Sequence, residues 1–423
     1  MRLGRMIPLV AALLLAVACG GSADEAAPSN ESESGSSVSL STTTAPPTTT
    51  TTTVATTTTT TTTTVPAVDP AAVQAAIEAE LASASGTTAL AERMAELEVP
   101  GLAVAVVVDG EVVLTFGAGT TPAGSPMTAA TISQVGSVSK PVAALVALAV
   151  AAEGDVDLDR DVEEILTSYV LPAGAQTADA PVTLSGLLAH DAGTNVDGFL
   201  GYGSAADAPD RPALLAGDGN TAALAVEAEP GSGFRYSGGG YELAAQVVED
   251  ALADEWGSIA DRVVFAPVGM ADTFSATSLS DEQAARATEG SVGGNALGNR
   301  WQAHPEQAAA GLWTTADDLG ALLAAFSRSL QGSDAEFLSP EWARRAVTPM
   351  ATADGIGATA QGFFVDDPAT PTRWFHGGRN IGYTAEVAGA IDGSYAVAVI
   401  TNAFPGGTDV AREIIATVEA SLG

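Results

Sequence analysis

Basic residues are scarce in this 423-residue chain: 16 lysines and arginines face 51 aspartates and glutamates, giving a formal charge of −35. Such an acidic chain repels polyanions, which excludes nucleic acid as a partner. Cysteine is scarcer still: Cys19 is the only one, so no disulfide can close within the chain. The three histidines, His190, His304 and His376, carry no HExxH or HxH spacing. Neither a metal site nor a cofactor is expected from them. No G-x-S-x-G and no phosphate-cradling glycine loop occurs, so a nucleophile elbow and a nucleotide site are unsupported. Lysine appears once, as Lys140.

That lysine lies in Gln134-Val135-Gly136-Ser137-Val138-Ser139-Lys140-Pro141, followed by an apolar run from Val142 to Val150. A run apolar on all sides, bounded by Gly136 and Gly154, predicts a buried helix. Pro141 suits its first turn, where the backbone N–H lacks an intrahelical partner. Residues three apart share a helix face, so Ser137 and Lys140 become neighbours. A serine hydroxyl attacks once a base takes its proton. A lysine amine held among apolar groups can be that base, and positive potential at a helix start favours a developing alkoxide.

At the N-terminus, Arg2 and Arg5 precede an apolar stretch, Ile7 to Ala18, too short to span a bilayer as a helix. Residues 1–18 read as a secretory signal. Leu15-Ala16-Val17-Ala18-Cys19 resembles a bacterial lipoprotein signal, which implies lipidation of Cys19 and anchoring on the outer face of the cell membrane. The alternative is an ordinary cut after Ala16-x-Ala18 and release as a secreted protein. Residues 19–67, with threonine tracts broken by Pro46, Pro47 and Pro66, have too little apolar surface to pack and read as a disordered linker. Residues 68–423 remain for one large domain.

Within that domain Asp69 to Leu97 carries helical periodicity, closed by Pro100. Two β-branched runs, Leu102–Val108 and Glu111–Phe116, flank Asp109-Gly110, a strong hairpin signal. Short helices are expected within Asp155–Leu166 and Thr183–His190, longer ones over Tyr241–Leu252 and Asp317–Leu330, and an irregular loop over Phe199–Asp218. Strand character returns at Gly362–Val365, Thr372–His376, Tyr383–Ala388 and Tyr395–Thr401, with Asp392-Gly393 as a turn. Thr408 can cap a last helix bearing Val410, Ile414, Ile415 and Val418. The expected fold is α/β in the α+β sense: an antiparallel sheet built from both chain ends, flanking helices and an inserted helical lobe. Clefts form at such seams.

Two further stretches could join the chemistry. Phe234-Arg235-Tyr236-Ser237-Gly238-Gly239-Gly240-Tyr241 precedes a helix, and a phenol projecting beside a lysine can relay protons. Trp374-Phe375-His376-Gly377-Gly378-Arg379 is a strand edge whose glycines leave N–H groups open to an incoming carbonyl. His376 there could donate a hydrogen bond or shuttle a proton.

Together these stretches resemble the serine β-lactamase and penicillin-recognising hydrolase superfamily, in the branch of class C β-lactamases, D-Ala-D-Ala carboxypeptidases and related esterases. Ser137-x-x-Lys140 matches its first motif, Tyr236-Ser237-Gly238 stands where the family has Tyr-x-Asn, and His376-Gly377-Gly378 where it has Lys-Thr-Gly or His-x-Gly. Val99-Pro100-Gly101-Leu102, Leu187 to Gly193, Pro267-Val268-Gly269-Met270 and Ala310 to Thr315 also look familiar, so the likeness runs from Val99 to Asn402.

The resemblance implies that Ser137 is acylated, that Lys140 and Tyr236 share its proton, and that the N–H groups of Ser137 and Arg379 hold the oxyanion. It implies that His376 orients the substrate or tunes Tyr236. Gly238 lacks the family's asparagine amide, and His376 lacks the lysine charge that holds a substrate carboxylate; the Arg379 side chain could compensate. A lost charge-assisted contact costs ~1.5–3 kcal/mol of recognition. The expected activity is therefore that of a peptidase or esterase on D-amino-acid-like or small acyl substrates. The alternatives are a β-lactamase proper or a catalytically silent wall-peptide-binding surface lipoprotein. Expected partners are a small molecule or peptide with a carbonyl centre and the membrane, through lipid on Cys19, with a monomeric chain.

Overall fold

A computed structural model describes residues 69, 71–76, 79, 90–333 and 337–422. The expected signal, Cys19 and the threonine-rich linker lie outside them. Strand β1 (Gly101–Val108) turns through Asp109 and Gly110 into β2 (Glu111–Gly119). Both turn residues have positive φ, 50° and 78°, the backbone that a two-residue hairpin needs and that Asp-Gly supplies.

The late strands are β3 (Ala351–Ala353), β4 (Gly357–Thr359), β5 (Phe364–Val365), β6 (Arg373–Asn380), β7 (Tyr383–Ala390) and β8 (Tyr395–Thr401). All eight form one antiparallel sheet in the order β2-β1-β8-β7-β6-β5-β4-β3. The two chain ends meet where β1 pairs β8, with Leu102 opposite Thr401 and Val108 opposite Tyr395. The antiparallel sheet closed by both ends is thus as expected. The short β3 and β4 at its far edge were not.

β1 is apolar throughout because both of its faces are covered. Ala103, Ala105 and Val107 join the core of the helical lobe, while Leu102, Val104 and Val106 pack with Val410, Ile414, Ile415 and Val418 of the last helix. Side chains alternate faces along a strand. Each buried Val, Leu or Ile contributes about 1.5–3 kcal/mol. That last helix spans Gly407–Leu422. It starts before Thr408, whose hydroxyl accepts a bond from Arg379 Nε at 3.1 Å instead of acting as the expected cap.

Between β2 and β3 the chain builds the lobe around helix α1 (Ser139–Glu153), which is entered through a 3₁₀ turn, Gly136–Val138, and capped by Gly154 in the left-handed region. Helix α2 (Gly238–Leu252) begins three residues earlier than expected, because the Ser237 hydroxyl accepts the Gly240 N–H at 2.8 Å and caps a run of glycines. Helix α3 (Ala316–Gln331) is capped by Thr315. The expected helix within Asp155–Leu166 shrinks to a 3₁₀ turn, Val162–Glu164. The stretch Phe199–Asp218 is largely irregular, with a short helix at Arg211–Leu215.

Candidate active site

The 3₁₀ turn that opens α1 lies against strand β6. Ser137 is half-buried, while Val135, Gly136, Val138, Ser139 and Lys140 around it are buried. Ser137 is therefore the residue of this turn that reaches solvent. One helical turn on, Lys140 is only 1% exposed. Its Nζ stands 2.9 Å from Ser137 Oγ and 2.8 Å from the Ala309 carbonyl oxygen. Its Nζ also lies 5.0 Å from the ring centre of Tyr236 and 6.0 Å from that of Tyr241. A buried amine bonded to a hydroxyl can exchange a proton with it without crossing water.

The approach of turn to strand depends on missing side chains. A Cβ at Gly378 would lie 2.8 Å from the Ser137 nitrogen and run into the Val135 carbonyl; one at Gly136 would lie 2.5 Å from the Arg379 nitrogen. The main-chain nitrogens of Ser137 and Arg379 are thus brought to one place beside the hydroxyl. Asn380 fixes the strand end, donating through Nδ2 to Gln134 Oε1 at 2.8 Å and to the Ala310 carbonyl at 3.1 Å.

Tyr236 comes from the loop before α2 and is half-buried. His190 holds it from three directions. The His190 ring lies 4.3 Å from the Tyr236 ring, its carbonyl accepts the Arg235 N–H at 2.7 Å, and its Nδ1 accepts the Ser237 N–H at 3.0 Å. With Nδ1 accepting, the remaining ring proton sits on Nε2, which is buried without a protein partner. Burial, then the Lys140 charge, hold the His190 pKa well below its ordinary value. The ring is neutral.

His376 on β6 is also neutral. Nδ1 meets the Gly377 carbonyl at 2.9 Å, so it carries the proton and Nε2 keeps a lone pair. Burial, reinforced by Lys140, lowers the His376 pKa to about 3. Its ring centre is 6.4 Å from that of Tyr236. It therefore brings no positive charge to the position where the family carries lysine.

Three other predicted residues fall differently. Side chains alternate along β6, so Gly377 and the Arg379 side chain face the last helix. A Cβ at Gly377 would meet the Glu386 carboxylate at 2.7 Å. Arg379 donates through Nη2 to Glu386 Oε1 at 3.0 Å and through Nε to Thr408. Its amide is at the Ser137 turn, but its guanidinium is committed elsewhere, so the expected compensation for the missing lysine is not made. Beside Tyr236, a Cβ on Gly238 would come within 2.7 Å of the Phe199 ring. The volume where the family has an asparagine side chain is filled by an aromatic ring.

Sequence reasoning passed over two contributors. His190 was weighed only as a metal ligand and as part of a familiar stretch, and no spacing in the sequence ties it to the Tyr236 loop. The Ala309 carbonyl is main chain and leaves no signal in side-chain identity. Among the described residues no group of three or more His, Cys, Asp or Glu is placed to hold a metal ion.

Comparison with known proteins agrees on one family. Its model, described as Beta-lactamase, matches residues 87–422. Esterase EstB of Burkholderia gladioli is 32% identical over 161 residues, which is 36% of this chain and 40% of that protein. Penicillin-binding protein 4 of Amycolatopsis lactamdurans is 28% identical over 176 residues, 41% of this chain and 44% of that protein. The chain thus spans about two fifths of the length of the curated relatives it matches. The octameric penicillin-binding protein homologue from Pyrococcus abyssi has the same fold, with a TM-score of 0.64 at 22% identity over 81% of this chain and 77% of that one.

Proposed function

The chain belongs to the beta-lactamase family, a fold family of serine hydrolases, and from that premise we propose that it is an exported esterase or peptidase working through an acyl-enzyme on Ser137. The observation that carries this reading is the 2.9 Å contact between Lys140 Nζ and Ser137 Oγ inside a buried site.

The Lys140–Tyr236 pair takes the Ser137 proton while Oγ attacks a carbonyl carbon. The oxyanion that forms is met by the amides of Ser137 and Arg379. The proton then passes, by way of the Tyr236 phenol, to the leaving alcohol or amine as its bond to the carbonyl breaks. A water attacks the ester on Ser137, its proton returns through the same groups, and the carboxylic acid departs. Phenol and amine act as one coupled pair in this cycle.

The substrates that fit are small acyl esters and D-amino-acid-like amides. Neutral His376 and the Phe199 ring beside Gly238 bring neither the cation nor the amide that the family has there, which argues against efficient β-lactam breakdown. Export rests on residues 1–18, and a lipid on Cys19 would hold the enzyme at the membrane on its linker.

The test is hydrolysis of a panel of short p-nitrophenyl esters, D-alanyl amides and a chromogenic cephalosporin by the wild type and by Ser137→Ala. Ester or amide turnover that disappears in the variant supports the reading. Wild-type turnover of none of them favours a silent binding protein, and a cephalosporin turned over fastest makes it a β-lactamase.

A further inference from the structure

We propose that Glu242, held in place by Arg211, is a positioning residue for Lys140 and acts on it through the main chain of Ala308 and Ala309. The proposal rests on the reading of Lys140 as one of the pair that takes the Ser137 proton.

Glu242 is fully buried on helix α2. Its Oε1 accepts the Ala308 N–H at 2.9 Å and the Ala309 N–H at 2.8 Å. Its Oε2 accepts from Arg211 Nε at 2.9 Å. The same guanidinium donates through Nη2 to Gln307 Oε1 at 3.0 Å and pairs through Nη1 with Glu249. Residues 307, 308 and 309 are therefore gripped at three consecutive points by one buried ion pair. The carbonyl of the same residue, Ala309, receives Lys140 Nζ at 2.8 Å.

A turn can be held far more cheaply than this. A buried carboxylate and guanidinium are both desolvated, and replacing such a pair by apolar side chains is often neutral or stabilising. Burial pushes the Glu242 pKa up, against the pull of Arg211 and the Ala309 amide. What the pair provides is a fixed carbonyl. When Lys140 is a neutral amine, one N–H directed at Ala309 O leaves the lone pair free to face the Ser137 hydroxyl. If that carbonyl drifts, the amine loses one of its two anchors and its lone pair turns away from the proton it must take. Small misplacements of a base carry large rate costs.

Lys140 is the sole lysine, so ¹⁵N-lysine labelling gives one ζ-nitrogen resonance that reports its surroundings without any need for activity. Three variants are compared with the wild type. Glu242→Gln keeps an oxygen for the two amides but sets an NH₂ against Arg211. Arg211→Met/Glu242→Leu removes both charges at similar volume and guards against a single variant that fails to fold. Glu249→Gln touches the same arginine but not the turn. The first two are expected to move the ζ resonance and to lower kcat on a p-nitrophenyl ester at least tenfold with KM within twofold; Glu249→Gln moves neither.

A folded double variant with an unmoved resonance or an unchanged kcat overturns the proposal. A moved resonance in a protein that turns over no substrate supports the positioning of Lys140 and counts against the hydrolase reading instead.

Discussion

The imidazole of His190 lies 4.3 Å from the Tyr236 ring, tilted by 33°, while its Nδ1 accepts the N–H of the next residue, Ser237. One neutral, buried ring thus fixes both the face of the phenol and the backbone that carries it. His190→Ala leaves a cavity beneath Tyr236 and an unpaired Ser237 amide. The expected cost is about 2–4 kcal/mol of stability and, from misplacing the phenol, about 10²-fold in kcat. Thermal unfolding and ester kinetics on one preparation check both.

Acid should destabilise this protein through its histidines. His190 and His376 are held below the ordinary value of 6.5 when folded, His376 at about 3, but regain it when the chain unfolds. The unfolded state binds more protons, so stability is lost as pH falls through 6.5 and continues to fall towards 3 for His376. Each histidine contributes a slope of about 1.4 kcal/mol per pH unit within its window. Chemical denaturation at pH 7, 6, 5 and 4 measures the slope, and His376→Gln is expected to remove its own share.

Gly238 and Phe199 should be coupled. Restoring asparagine alone, Gly238→Asn, drives a side chain into the Phe199 ring and costs about 1–3 kcal/mol through overpacking. The double variant Phe199→Ala/Gly238→Asn relieves the clash. A double-mutant cycle on unfolding free energy is expected to show a favourable coupling of about 0.5–3 kcal/mol; additive effects would mean that the two residues do not compete for the same space.

Gly378→Ala forces β6 away from the nucleophile turn, because the added methyl would sit 2.8 Å from the Ser137 nitrogen. Separating the two amides removes an oxyanion donor, worth about 10²–10³-fold in the acylation rate. Stopped-flow acylation by a p-nitrophenyl ester reads this directly, and KM should change little.

Some of this architecture was legible in the sequence because it is fixed locally. Asp109-Gly110 dictates its turn through two positive φ values, and the apolar β1 and α1 announce burial on every side. Lys140 stood out because a lone ammonium inside an apolar helix needs a purpose. The start of α2 was hidden by three glycines that carry no helix signal, although Ser237 was in place to cap them. The edge strands Ala351–Ala353 and Gly357–Thr359 are too short for any periodicity. Above all, no spacing rule links Glu242 to Ala308 and Ala309, or Phe199 to Gly238. Such contacts exist only once the chain has closed on itself.

The central claim is that Lys140 activates Ser137, and the most direct measurement is the rate and position of covalent labelling by a fluorophosphonate. The wild type is expected to carry a single adduct, on Ser137, and Lys140→Met, which keeps the buried volume, to label at least about 10²-fold more slowly while still folded. A wild-type adduct elsewhere, or equal labelling of folded Lys140→Met, would contradict the account.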